Sequence, residues 1–212
     1  NLDTPGIGEG IQDHPACTIA LDLEPGTDVS APMVSVLIDR NGSQILPLNH
    51  LHHAPGHGAL IAGLLDVSSQ GRVSLPHREG LPLVELDQLS TAADVAGLTD
   101  VVLDALRIAH LEVLEPVIRR AYLDSDGTPA SSLGDDPDLV REWASTHITG
   151  FNHLSSSCRE GVVADQFGRV LGYDNLLICD ASLFPHSPVR NPFMPIVQLA
   201  ERLTSRWRRY GI

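Results

Sequence analysis

The sequence predicts a mixed fold: an antiparallel α+β sheet domain flanked by helices, then a C-terminal strand-turn-helix of α/β character. Three observations predict it. Residues 16–75 are short β-branched or leucine-rich runs broken by Pro, Gly, Asn and Asp. Thr91 to Leu114 repeats apolar side chains at three- and four-residue steps. Asn175–Asp180 holds a continuous apolar run of the sort buried on both faces of a parallel sheet, with an amphipathic helix after it.

Taken in order, residues 1–15 form a glycine-rich lead-in. Gly6-x-Gly8-x-Gly10 lacks a preceding strand and a following β-α-β unit, so it reads as a crossing loop and not a dinucleotide cradle. CTIALDLEPG, PMVSVLIDR, SQILPLNHL and ALIAGLLDVSSQGRVSL are the strand runs. Asn41-Gly42 is a type I′ hairpin signal, and Ser69-Gln70-Gly71 marks a second turn. The helix that follows places Val95, Leu98, Val102, Leu106, Ala109 and Val113 on one face, with Asp87 or Ser90 as its cap. Ser125–Asp136 is a solvated loop, and a helix over about 138–147 delivers the chain to Asn152-His153. In the closing helix Ile196, Leu199, Ala200 and Leu203 form the apolar face.

Composition narrows the function. Of 212 residues, 42% are apolar, enough for a real core, but only 4% are aromatic, so aliphatic side chains do the packing. All 14 basic residues are arginine, which excludes a Schiff-base lysine within these residues. A net charge of −13 argues against nucleic acid and fits an acidic, solvated surface. No apolar run is long enough to cross a membrane, and the start, at Asn1, has no basic-apolar leader. Cys17, Cys158 and Cys179 are odd in number and widely spaced, predicting unpaired thiols in a reducing compartment, hence a cytoplasmic location.

Two positions are candidates for chemistry. His153 sits in a loop of small and polar residues, where an imidazole with an ordinary pKa of ~6.5 can serve as a base. Asn191-Pro192 reads as an N-cap and first helical residue, leaving first-turn amides outward to stabilise a group that gains negative charge. His50, His52, His53 and His57 are the densest histidine cluster, but no carboxylate accompanies them, so a substrate-side loop is preferred to a metal site. Ser155-Ser156-Ser157 lacks the nucleophile elbow of a serine hydrolase.

These residues carry a resemblance. GIGEGIQDHP resembles the Gly-x-Gly-x-Asn-Leu-x-Asp-His-Pro phrase of the glucose-methanol-choline (GMC) flavoprotein oxidoreductases. ALIAGLLDVSSQGRVSL resembles their substrate-domain hairpin and VELDQLSTAADVAGLTDVVLDALRIAH the helix after it. HLSSSCREG resembles His-Pro-x-Gly-Thr-Cys-Arg-Met-Gly, and VVADQFGRV through NPFMPIVQLAERL resembles the closing string. The phrases stand in the family's order and cover nearly the whole chain.

The resemblance implies a GMC-type fold. Residues 1–15 lead in from an FAD domain, 16–147 form the substrate-binding domain, and 148–212 hold the catalytic loop and the C-terminal part of a Rossmann-like FAD-binding domain. It implies FAD-dependent oxidation of a small-molecule alcohol, with hydride passing to the flavin. His153 would take the hydroxyl proton and Asn191 would hydrogen-bond the substrate oxygen. Asp180 and Ala181 would lie along the ribityl-diphosphate chain, while Asn191, Pro192 and Phe193 would face the flavin. The FAD-binding β-α-β unit is expected from a separate N-terminal half, in a companion chain or a missing segment. A hydroxynitrile-lyase-like activity on the same fold and a non-catalytic binding subunit are the alternatives. Departures are Leu154 for Pro, Ser156 for Gly, Ser157 for Thr, Glu160 for Met and Gly10 for Asn. The loss of glycine freedom at Ser156 is expected to disturb His153.

Overall fold

A computed structural model describes residues 4–28, 32–34, 36–51, 54–76 and 80–211. Its strands are β1 Glu9–Ile11, β2 Pro15–Leu23, β3 Ile38–Arg40, β4 Ser43–Leu48, β5 His57–Leu64, β6 Gly71–Ser74, β7 Leu83–Glu85, β8 Ile118–Tyr122 and the two-residue β9 Thr149–Gly150. The helices are α1 Ala92–Ala109, α2 Pro137–Thr146 and α3 Phe193–Tyr210, with short 3-10 turns at Glu112–Leu114, Ala130–Ser132 and Ala181–Leu183. The chain forms two compact units, each discontinuous. One comprises Pro15–Leu64 with Ala92–Thr149; the other joins the residues before Pro15 to Leu65–Thr91 and the residues from Gly150 onward.

The first unit is a sheet unit. Its main sheet runs β3-β4-β5-β2-β8, with every one of these pairs antiparallel. Asn41 and Gly42 both take positive φ, 36° and 91°, and close the β3–β4 hairpin at Arg40 and Ser43, as Asn-Gly predicts. β2 lies between β5 and β8 and is buried along most of its length, which explains its near-continuous apolar sequence. α1 packs on β5 and α2 through Leu98, Val101, Val102, Leu106 and Ala109. The helix stops at Ala109, where His110 donates its ring N–H to the carbonyl of Leu106 at 2.8 Å. Val113, expected on the apolar face, therefore lies beyond the helix and is 77% exposed. Asp136 caps α2 by accepting the N–H groups of Asp138 and Leu139.

A charge cluster around the buried Asp22 ties β8 to β2 and β5. Asp22 accepts hydrogen bonds from Arg119 and Arg120, and His57 lies 2.9 Å from its other oxygen. Burial alone would raise this carboxyl, but Arg120, Arg119 and His57 together hold it below the usual carboxylate range. A lowered folded-state pKa stabilises the fold above the unfolded value of ~3.9 and loses that contribution as pH falls through the folded value. The melting temperature should thus fall on acidification below about pH 4, and Asp22→Asn should lower it at neutral pH while flattening that acid limb.

The second unit holds a small sheet in the order β1-β6-β7. The β5–β6 stretch read as one hairpin is not one. β6 pairs with β1 and β7, and β5 with β2 and β4, because the chain leaves the sheet unit after Leu64. The apolar run at Asn175–Asp180 forms no strand either; one antiparallel bridge joins Leu177 to Arg169. A strand needs a partner along its backbone, and here a single rung is available while Leu176 and Leu177 stay 46% and 39% exposed. The core of this unit is Ala164, Leu183, Leu199 and Leu203, flanked by Ile178, Cys179, Phe184 and Trp207. α3 closes on Gly211 at φ 68°.

All three cysteines are free. Cys17 is fully buried, and burial pushes its thiol up to about 12, so it is inert at neutral pH. No described helix is long and apolar enough to cross a membrane.

Candidate active site

The His153 phrase is the middle strand of an irregular three-part backbone ladder in the second unit. On one side Gln12 and Ser155 exchange N–H···O bonds of 3.1 and 3.0 Å, and Gly8 donates to the Ser157 carbonyl at 2.7 Å. On the other, Ser156, Cys158 and Glu160 donate to the carbonyls of Ala181, Ser182 and Leu183 at 3.1, 2.8 and 3.0 Å. Asp180 shapes that second edge by accepting the Ser182 N–H at 2.8 Å. The Asp180-Ala181 phrase is thus registered directly against the His153 phrase.

His153 itself is held by a cluster that sequence reasoning did not single out. Asn152 turns the chain at φ 59°, and one oxygen of Asp13 then accepts the backbone N–H of both His153, at 2.7 Å, and His14, at 2.9 Å. Gly150 admits that carboxylate, since a Cβ there would collide with Asp13 Oδ2. The rings of His14 and His153 meet edge to face, with their Nδ1 atoms 2.9 Å apart. Phe151 stacks on the His153 ring at a centroid distance of 5.3 Å. Behind this pair, His14 Nε2 lies 2.9 Å from Ser187 Oγ, and the Ser187 N–H donates to Gln12 Oε1 at 2.8 Å. Gln12 Nε2 in turn donates to the carbonyls of Val67 and Ser69.

Burial divides the roles. Gln12, Asp13, His14 and Ser187 are at most 4% exposed, whereas His153 is half-buried. Burial, followed by the proximity of His153, pushes His14 down to about 4 against the opposing pull of Asp13. Burial also lowers His153, again with Asp13 opposing. Both imidazoles are therefore neutral at pH 7. His153 presents a ring that can accept a proton, beside a carboxylate that stabilises the resulting cation.

The remaining expectations resolve individually. Ser156 takes the left-handed conformation that a glycine would supply, φ 69°, so the loop keeps its turn and the His153 clamp is intact. Gly10, at φ 79°, leaves room for the Arg159 guanidinium, which a Cβ would meet at 2.8 Å. Glu160 forms an ion pair with Arg202 at 2.6 Å. That pair lines a cleft of about 490 Å³ with Leu183, Phe184, Pro195 and Leu199, and none of the histidines borders it.

The cap reading at Asn191 needs correction. Pro192 occupies the cap position of α3 with no side-chain cap bond, and the helix begins at Phe193. Asn191 is exposed one residue earlier, four positions after Ser187. Pro195 lacks an N–H and the Ile196 N–H already bonds to the Pro192 carbonyl, so Phe193 and Met194 supply the first-turn donors. Both are exposed.

In the histidine cluster, His52 and His53 lie outside the described residues. His50 bonds Asn49 and His57 faces Asp22 and Tyr122. Among the described residues no three His, Cys, Asp or Glu side chains converge as a metal site would require.

Comparison with known proteins identifies the family. Residues 67–200 match the C-terminal family model described as GMC oxidoreductase. The oxygen-dependent choline dehydrogenase of Burkholderia pseudomallei (strain 1710b) is 27% identical over 195 residues, covering 89% of this chain and 32% of that protein. Its counterpart in Burkholderia vietnamiensis is 28% identical over 193 residues, 88% of this chain and 32% of that protein. The chain spans about a third of the length of these curated relatives. Among solved structures, pyridoxine 4-oxidase from Mesorbium loti aligns over 99% of this chain and 45% of its own, with a TM-score of 0.82 and 17% identity. Formate oxidase aligns over 99% and 48%, at TM-score 0.80 and 12% identity. A family model over most of its length and a fold shared nearly end to end place this chain in the GMC oxidoreductase family.

Proposed function

We propose that this chain supplies the proton-handling residues and the substrate-facing sheet of an enzyme that oxidises an alcohol carbon with FAD. The observation that carries the reading is the neutral, half-buried His153 imidazole, clamped in one pose by Asp13 and His14. His153 accepts the substrate hydroxyl proton, and the Asp13 carboxylate stabilises the imidazolium that forms. Asn191 holds the substrate oxygen.

The residues present fit a flavin. At the start of α3 the Phe193 and Met194 N–H groups, with a partial positive charge of ~0.5 e behind them, adjoin two exposed apolar side chains. A planar apolar ring with an edge that gains negative charge on reduction suits that surface. Pro192 and Phe193 would hold the ring edge, and the backbone at Asp180 and Ala181 would follow the ribityl-diphosphate chain. When bound, FAD supplies the hydride acceptor at its N5. In this reading the sheet unit, Pro15–Leu64 with Ala92–Thr149, is the substrate-binding domain, and the unit that carries His153 belongs with the flavin domain. The rest of that domain is contributed by the family's N-terminal part, in the same polypeptide or a companion.

The test is anaerobic mixing of the full-length, flavin-loaded protein with a panel of alcohols: choline, pyridoxine, aryl alcohols and short aliphatic alcohols. Bleaching of the flavin absorbance is the expected result. Cleavage of a cyanohydrin with no bleaching by any alcohol would replace oxidation with a lyase activity, and inertness to all would favour a binding subunit.

A further inference from the structure

The geometry points to His14 as a positioning residue: it accepts the Nδ1–H of His153 and donates its own Nε2–H towards Ser187, leaving His153 Nε2 as a bare lone pair. This rests on the reading of His153 as the base. Two nitrogens 2.9 Å apart, with neither ring charged, share one proton, so only two arrangements exist. In one, His14 donates from Nδ1, and its Nε2 must accept from the Ser187 hydroxyl. In the other, His153 donates and His14 Nε2 carries the hydrogen.

The reading of His153 as the base selects the second. With His153 Nδ1 taken up by His14, the nitrogen left to receive the substrate proton is Nε2. A neutral imidazole whose Nε2 is a bare lone pair carries its hydrogen on Nδ1. His153 therefore donates the shared hydrogen, and the hydrogen of His14 sits on Nε2, the nitrogen 2.9 Å from Ser187 Oγ. The ionisable groups acting here are His153 and Asp13 on His14, and Asp13 on His153.

The consequence for proton transfer is direct. The hydroxyl proton of the substrate moves to His153 Nε2, the O–H bond breaks and the N–H bond forms. The resulting imidazolium keeps its Nδ1–H, donated to the neutral His14, and no proton passes to His14 itself. Fixing the second nitrogen of a catalytic imidazole is what an orienting third group does in other base sites. A buried neutral imidazole between Ser187 and His153 does it without adding a charge.

The tautomer can be read without turnover, by ¹⁵N NMR of histidine-labelled full-length protein, with His153→Ala and His14→Gln assigning the signals. Hydrogen on Nδ1 of His153 and on Nε2 of His14 is expected; hydrogen on Nε2 of His153 overturns the proposal, whatever the enzyme oxidises. In kinetics, His14→Phe should slow flavin reduction at least ~10-fold, part of the ~10²–10⁴ that a positioned base contributes. It should also lower the pH midpoint of kcat/KM by about one unit, because the imidazolium loses an acceptor. His14→Gln, whose amide oxygen can accept, should recover most of the rate. An unmoved or raised midpoint in a folded His14→Phe protein would overturn it. Should that variant not fold, the NMR result on the parent decides. Absence of bleaching in the parent would instead refute the oxidation reading and leave the tautomer result standing.

Discussion

His153→Ala should reduce the rate of flavin bleaching by an alcohol by ~10²-fold or more, the usual contribution of a positioned general base. The magnitude follows from how the ring is held. Its backbone N–H is fixed to Asp13, its Nδ1 meets His14 and its face is stacked on Phe151, so little orientational freedom remains to be lost on reaction. The pH dependence has a definite sign. His153 works unprotonated, and burial holds its pKa below the ordinary 6.5. The parent enzyme should therefore keep a flat kcat/KM through neutral pH and lose activity as pH falls through that lowered value. In His153→Ala the acid limb belonging to this group should vanish along with the rate. An unchanged reductive rate in stopped-flow absorbance would remove His153 from the mechanism.

Leu203→Ala should destabilise the unit that carries His153 by about 2–5 kcal/mol, read from denaturant unfolding. Leu203 is fully buried, with Ala164, Leu183 and Leu199 around it. The surrounding Phe184, Ile178 and Trp207 have fixed positions of their own. Trp207, for instance, donates its indole N–H to the Phe167 carbonyl at 2.8 Å, which limits how far the site can collapse into the cavity. The damage should not stay local. Leu183 belongs both to this core and to the 181–183 edge that accepts hydrogen bonds from the His153 phrase. Loss of Leu203 should accordingly loosen the active loop at temperatures well below global unfolding, detectable as faster amide exchange at Ser156, Cys158 and Glu160.

What could be read from the residues depended on whether the signal was local. Asn41-Gly42 specifies its hairpin by backbone preference alone, and the Leu199/Leu203 spacing specifies its helix by periodicity. Asn175–Asp180 misleads because continuous apolar character reports burial, and a strand additionally needs neighbours along its backbone. The ALIAGLLDVSSQGRVSL stretch misleads because a turn signal between two strand runs does not say that the runs face each other.

The site divides in the same way. His153 was legible as a loop imidazole in a recognisable phrase. Its clamp was not, because Asp13 and His14 act only across a long chain separation, although both lie in the quoted GIGEGIQDHP phrase. Ser187 carried no signal at all; its role comes from where the chain runs after the Asp180 turn.

The long reach of the His14–His153 contact, 139 residues in sequence, also bears on how the protein is made. A ribosome adding ~5–20 residues per second leaves the lead-in peptide without its ladder partner for roughly 7–30 s. Over that interval Gly8 and Gln12 offer open backbone donors and acceptors while the sheet unit is still being synthesised. That stretch of the nascent chain therefore has a window in which it is exposed to mispairing. A chaperone that shelters it until residues 150–161 emerge should raise the yield of active protein more than one acting on the finished polypeptide.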